Sequence, residues 1–203
     1  MAITNTRTRY GTVAMTLHWL IALAVLINIG LGLYHADYIP DKAPPDLQKF
    51  GFQIIQLHKS IGLTVLVLSV ARLLWRLVNP VPPLPAGMSP TLRFAAHVTH
   101  FLLYFLIIAI PLSGWALVSG SQLGLPTPYF GILHWPNLWF LADLPRATKH
   151  ALHPTLVLTH FVLAWSAIVL IPIHVLGALY HQFLRRDDVL KRMIPGTRAA
   201  KTA

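Results

Sequence analysis

The chain carries 11 histidines and no cysteine. Two of the histidines, His160 and His174, lie in one apolar run, TLVLTHFVLAWSAIVLIPIHVLGALYHQFL, at residues 155–184. The fourteen residues between them turn a helix through about 1400°, some 40° short of four turns, so both imidazoles project from nearly one face. At about 1.5 Å per residue they stand roughly 21 Å apart, one in each half of a hydrocarbon core roughly 30 Å thick. A neutral imidazole in that setting either hydrogen-bonds a neighbouring helix or offers its free ring nitrogen to a metal.

The elements that must hold these rings follow from composition. Of 203 residues, 55% are hydrophobic and 11% charged, with mean hydropathy +0.61, against about a quarter charged in an ordinary soluble domain. The chain reads as an integral membrane protein. Four apolar runs, residues 13–34, 54–77, 95–118 and 155–184, are each long enough to cross a bilayer as a helix. The first is too long for a signal-peptide core and has no small-residue cleavage site behind it. The expected architecture is all-α, a transmembrane four-helix bundle filling residues 13–184. Around it stand a basic lead at 1–12, connections at 35–53 and 119–154, and a basic tail at 185–203, with no length left for a soluble domain.

Charge sets the orientation. Arg7, Arg9, Arg72, Arg76, Arg93, Arg185, Arg186, Lys191, Arg192, Arg198 and Lys201 fall on one side. Lys42, Lys49, Lys59, Arg146 and Lys149 fall on the other, together with Asp37, Asp41, Asp46 and Asp143. The bias predicts both termini in the cytoplasm and the 35–53 and 119–154 connections in the periplasm. The formal charge of +10 then answers to anionic headgroups and calls for no nucleic acid.

Depth pairs the remaining histidines. His18 is nine residues from Arg9 and His174 eleven from Arg185, so both lie at one inner level. His58, in QLHKSIG, opens the second run at the outer level of His160. His97 and His100 sit near the inner surface and are weaker ligand candidates, and His35, His134, His150 and His153 read as solvated loop or interface residues. One helical turn after His18, His58, His160 and His174 come Ala22, Gly62, Ala164 and Ala178, small residues that leave room for a flat group. After His97 and His100 come Phe101 and Tyr104.

Four intramembrane histidines at two matched depths need partners. A single one is more often a helix-to-helix hydrogen bonder. Structural zinc takes four protein ligands, whereas each pair here offers two. Two axial imidazoles complete a haem, and with no C-x-x-C-H motif that haem is non-covalent, hence b-type. The same absence of cysteine excludes disulfides and cysteine-ligated iron–sulfur clusters.

The segments MTLHW, QLHKSIG, ARLLWRL, AAHVTHFLLYF, IPLSGW, GLPTPYFG, HWPNLWF and IHVLGALYHQFLRRDDVLKRMIPG, in this order, resemble the bacterial cytochrome b561 family from about Tyr10 to Gly196. The resemblance implies a four-helix dihaem b cytochrome of the inner membrane, with one haem iron ligated by His18 and His174 and the other by His58 and His160. It also implies electron exchange with ubiquinone. One branch of the family oxidises superoxide at the periplasmic face, and these motifs do not fix the branch.

The expected function is therefore electron transfer through two b haems between a periplasmic donor, with superoxide one case, and membrane ubiquinone. Lys59, beside His58, would guide an anion or pair with a haem propionate. His181 shares the face of His174 two turns on and reads as a headgroup-level side chain or a quinone contact. Arg72 and Arg76 read as inner-surface anchors or propionate partners. Two rivals stand: a membrane-anchor cytochrome subunit fed by a hydrogenase or dehydrogenase partner, and a haem-free metal carrier. The loop at 119–154, broken by Pro126, Pro128 and Pro136, is expected to lie in the outer interface, and RRDDVLKRMIPG to begin a short helix.

Overall fold

A computed structural model describes residues 2–38, 43–85, 87–124 and 127–197. Asp41, Lys42, Pro126, Arg198 and Lys201, used in the readings above, lie outside the described residues, as does the side chain of Asp37. Four long helices form the body: α1 Thr12–Tyr38, α2 Pro45–Val78, α3 Pro90–Ser119 and, after a short α4 Trp139–Ala142, α5 Arg146–Tyr180. All four are long and apolar enough to span a membrane. Little of them is buried within the protein, so their apolar outer faces are matched to lipid.

Each helix but α1 starts well before its apolar run, and the starts have local causes. Pro45 supplies a fixed φ at the opening of α2, and Asp46 in the first turn complements the helix dipole, so residues that read as loop are a helix N-terminus. Ser89 caps α3 by accepting from Leu92 N at 3.4 Å, with Pro90 next. Pro154 interrupts the reading of the last span but not α5, which runs through both Pro154 and Pro172 from Arg146. Pro154 costs the bond to the His150 carbonyl, and both residues are exposed, where that carbonyl can be hydrated.

The backbones pack as two hairpins, α1 on α2 and α3 on α5, joined through α2 and α3. Among the described residues no comparable packing joins α5 to α1 or α2. At one end the long connection folds into a hairpin, β1 Thr127–Tyr129 and β2 Leu133–Trp135, antiparallel with Tyr129 opposite Leu133. Phe130 and Gly131, at φ 49° and 72°, take left-handed conformations in the three-residue loop, and Ile132 N closes the turn on Tyr129 O at 3.0 Å. The hairpin is tied down on α2: Phe130 N donates to Ser60 Oγ at 3.0 Å, and Tyr129 OH meets Thr64 Oγ1 at 2.9 Å. Trp115 Nε1 donates to Pro136 O and Leu138 N to Ser119 Oγ, both at 2.9 Å, fixing the rest of the loop to α3.

Both described termini gather at the opposite end with the α2–α3 linker. Asn5 donates to Pro80 O at 2.9 Å and accepts from Gly11 N at 2.9 Å. The tail corrects the expected new helix. After Tyr180 the chain makes one π-helical turn, His181–Arg185, and Arg186 at φ 54° reverses its direction. A 3-10 turn at Lys191–Met193 then packs back under the bundle. Arg9 donates to Ile194 O at 2.8 Å and to Thr197 O, Trp19 Nε1 to Met193 O at 2.7 Å, and Arg192 to Pro83 O at 2.6 Å. Arg192 also pairs with Asp188 at 2.8 Å.

Candidate functional site

The four intramembrane histidines expected from depth meet in the expected pairs. The rings of His18 on α1 and His174 on α5 have centroids 6.3 Å apart at an interplanar angle of 77°. Those of His58 on α2 and His160 on α5 are 6.2 Å apart at 86°. No hydrogen bond joins the rings within either pair. An in-line imidazole–imidazole hydrogen bond of about 2.9 Å would bring the centroids to roughly 5 Å, so each pair is spread about 1 Å wider than direct bonding requires.

The pair nearer the β-hairpin, His58 with His160, rests on seats on the neighbouring helices. His58 Nδ1 lies 3.0 Å from the backbone carbonyl of Asn28, and the residue one turn beyond Asn28 is Gly32. A Cβ added at Gly32 would stand 3.0 Å from His58 Cε1 and 3.3 Å from Nδ1, with Nε2 farther off at 4.0 Å. His160 repeats the arrangement on α3. Its Nδ1 lies 3.2 Å from Ile110 O and 2.9 Å from Ser113 Oγ, and a Cβ at Gly114 would meet Cε1 at 3.1 Å, Nδ1 at 3.4 Å and Nε2 at 3.9 Å. A helical carbonyl already accepts from the amide four residues on, and at both seats the glycine at that fourth position lets the flat imidazole come close enough to use the second lone pair. The carbonyl-to-glycine spacing of four in NIGLG and IPLSG was the available signal. Of the small residues counted earlier, Gly62 faces α1, where an added Cβ would meet Asn28 Nδ2 at 3.4 Å, an ordinary contact.

The pair nearer the described termini, His18 with His174, has different company. His100 on α3 brings its ring within 5.4 Å of His174, closer than its surface position suggested, while its Nδ1 bonds Ala96 O of its own helix at 2.8 Å. The guanidiniums of Arg72 and Arg76 lie 5.6 and 5.2 Å from the Tyr104 ring centre, one turn along α3 from His100. Arg72 also donates to Ala14 O at 2.9 Å, one turn before His18. Among the described residues neither arginine has a carboxylate partner. Below them, burial raises the Tyr10 phenol above its ordinary range, against the opposing pull of Arg76.

The two remaining candidates stand at opposite ends. Lys59 follows His58 at the hairpin end, and no ion pair among the described residues neutralises it. His181 has a partner in the tail. Its Nδ1 meets Asp187 Oδ2 at 2.6 Å, with the side chains only 12% and 21% exposed, because the reversal at Arg186 folds Asp187 back onto the helix end.

Similarity to known proteins runs along the whole chain. The family described as prokaryotic cytochrome b561 matches residues 9–196. Cytochrome b561 homolog 2 of Escherichia coli (strain K12) is 38% identical over 200 residues, covering 96% of this chain and 95% of that protein. A protein named probable superoxide oxidase CybB of Yersinia pestis is 29% identical over 192 residues, 94% and 98% of the two chains. Cytochrome b562 of Cereibacter sphaeroides is 29% identical over 186 residues, 91% and 94%. With four spanning helices and this similarity, the chain is a multi-pass inner-membrane electron-transfer protein that belongs to the prokaryotic cytochrome b561 family.

Proposed function

We propose that the chain carries electrons across the membrane through two b-type haems, one held by His18 and His174 and the other by His58 and His160. One observation carries the reading. A metal–imidazole bond of about 2.0 Å plus about 1.1 Å from ring nitrogen to ring centre, doubled, gives roughly 6.2 Å between the centroids of two imidazoles on one iron. The two pairs stand at 6.3 and 6.2 Å. Haem, when bound, supplies a one-electron couple in a porphyrin plane, and the protein supplies the axial imidazoles and the apolar surroundings.

The residues fit that group in a second way. A carbonyl oxygen only accepts, so the bonds to Asn28 O and Ile110 O put the proton of His58 and His160 on Nδ1, leaving the Nε2 lone pair for a metal. An iron held by two imidazoles would have no position left for oxygen, which favours electron transfer over oxygen chemistry. The basic end, with both described termini, faces the cytoplasm in this reading, and the hairpin end faces the periplasm.

Ubiquinone is the partner at the inner end, where His181 and Asp187 form a hydrogen-bonded dyad able to hand a proton to a reduced quinone oxygen. At the outer end the donor is a small reductant. The superoxide oxidase relative names one, and the un-neutralised Lys59 would attract that anion. The test is a reduced-minus-oxidised spectrum with haem-to-protein stoichiometry, followed by superoxide and a ubiquinone analogue. Two low-spin haems per chain and reduction of the analogue by superoxide are expected. Colourless protein would end the haem reading, and two haems without superoxide turnover would move the donor to a redox protein partner.

A further inference from the structure

The two histidine pairs are held differently, and the difference has an electrochemical consequence. Both outer imidazoles donate Nδ1–H to backbone carbonyls of the neighbouring helix, His58 to Asn28 and His160 to Ile110. Ser113 strengthens the second seat: its hydroxyl donates to Ile110 O at 2.7 Å and accepts from His160 Nδ1 at 2.9 Å. Among the described residues no hydrogen bond reaches the ring of His18 or His174. Their neighbourhood holds instead the guanidiniums of Arg72 and Arg76, one bonded a turn from His18 and both stacked on Tyr104 a turn from His100.

A ligand that gives up part of its Nδ1–H becomes a better electron donor through Nε2 and favours the oxidised metal. A nearby positive charge favours the reduced one. Resting on the haem assignment above, we propose that Ser113 is a positioning residue that, with the Asn28 and Ile110 carbonyls, holds the outer haem at a lower midpoint potential than the inner one. One electron leaving the outer centre for the inner then moves downhill, from the Lys59 end toward the His181 end. The seat on α3 explains each residue of the IPLSG segment that touches it: Ile110 gives the carbonyl, Ser113 the hydroxyl and Gly114 the clearance.

The experiment is an optical redox titration of purified haem-loaded protein in lipid nanodiscs. Wild type should resolve two midpoints. Ser113→Ala should raise the lower midpoint and leave the upper one in place, with both haems and their low-spin spectra retained. Ser113→Thr, which keeps the hydroxyl, should return the lower midpoint toward wild type. Gly30→Ala, at a position with open space around it on the same α1 turn as Asn28, should move neither. A single unsplit wave in wild type, an unmoved lower midpoint in Ser113→Ala, or movement of the upper one alone would each overturn the proposal. Fewer than two haems per wild-type chain would instead strike at the haem assignment itself.

Discussion

His58 and His160 stand with ring centroids 6.2 Å apart, and each leans on the neighbouring helix of its own hairpin, His58 on α1 and His160 on α3. The two seats match almost atom for atom: a carbonyl, a glycine four residues on, and the Cε1–Nδ1 edge of the ring turned toward it. Each hairpin thus holds one imidazole through its own backbone, and the pair spans the two hairpins, from α2 to α5. The inner pair forms only when α1 and α5 come together, with α3 contributing His100 beside it.

Because each pair draws on two helices, losing one histidine should empty one site and spare the other. His58→Ala and His18→Ala are each expected to carry about one haem per chain, and the double variant none. Pyridine haemochrome assay against protein concentration reads this directly; two haems in either single variant would contradict the pairing.

Ring orientation makes a separate prediction. At 77° and 86° the two imidazole planes of each pair are close to perpendicular. Perpendicular ligand planes leave the iron's two π-type d orbitals nearly equal in energy, so both ferric centres should show strongly axial low-spin EPR signals. Ordinary rhombic low-spin signals from both would mean that the planes are parallel.

The glycine seats are sterically tight. Gly114→Ala places a Cβ 3.1 Å from His160 Cε1, so the ring must shift and the bonds to Ile110 O and Ser113 Oγ loosen. A cost of about 1–3 kcal/mol is expected, as for other overpacked sites. It should appear as earlier haem release on heating, followed by absorbance. Gly30→Ala, on the α1 turn of the other seat but with open space around it, should melt as wild type does.

Lys59 tests the outer donor. Replacing it with glutamate reverses a charge that no carboxylate pairs with among the described residues, so superoxide oxidation should slow steeply at low ionic strength and converge with wild type as salt rises. Stopped-flow rates across a salt series measure it, and parallel salt curves would remove Lys59 from steering.

His181 and Asp187 test the inner acceptor. His181→Ala removes the 2.6 Å contact and Asp187→Asn removes its charge, and each should slow ubiquinone-analogue reduction while the haem spectra stay unchanged, since the dyad lies two turns beyond His174. Normal quinone turnover in both variants would dismiss the dyad as a proton source.

What the sequence by itself determined is the lengthwise order. Apolar run length set the four spans, and counting residues at a fixed rise per residue set the level of each histidine, because a membrane helix leaves the chain one dimension to vary along. The pairs His18 with His174 and His58 with His160 follow from that count, and their spatial meeting agrees with it. Helix starts at Pro45 and Arg146 escaped the count, since polar first turns outside the hydrocarbon look like loop. Only the tertiary structure decided what surrounds the rings. The Asn28 and Ile110 seats are backbone carbonyls that every residue possesses, the approach of Arg72 and Arg76 to Tyr104 needs α2 laid against α3, and the return of the tail turns on one left-handed residue, Arg186. Levels along a helix are additive in residue number, but contacts between helices depend on rotation and crossing, which no run of residues encodes alone.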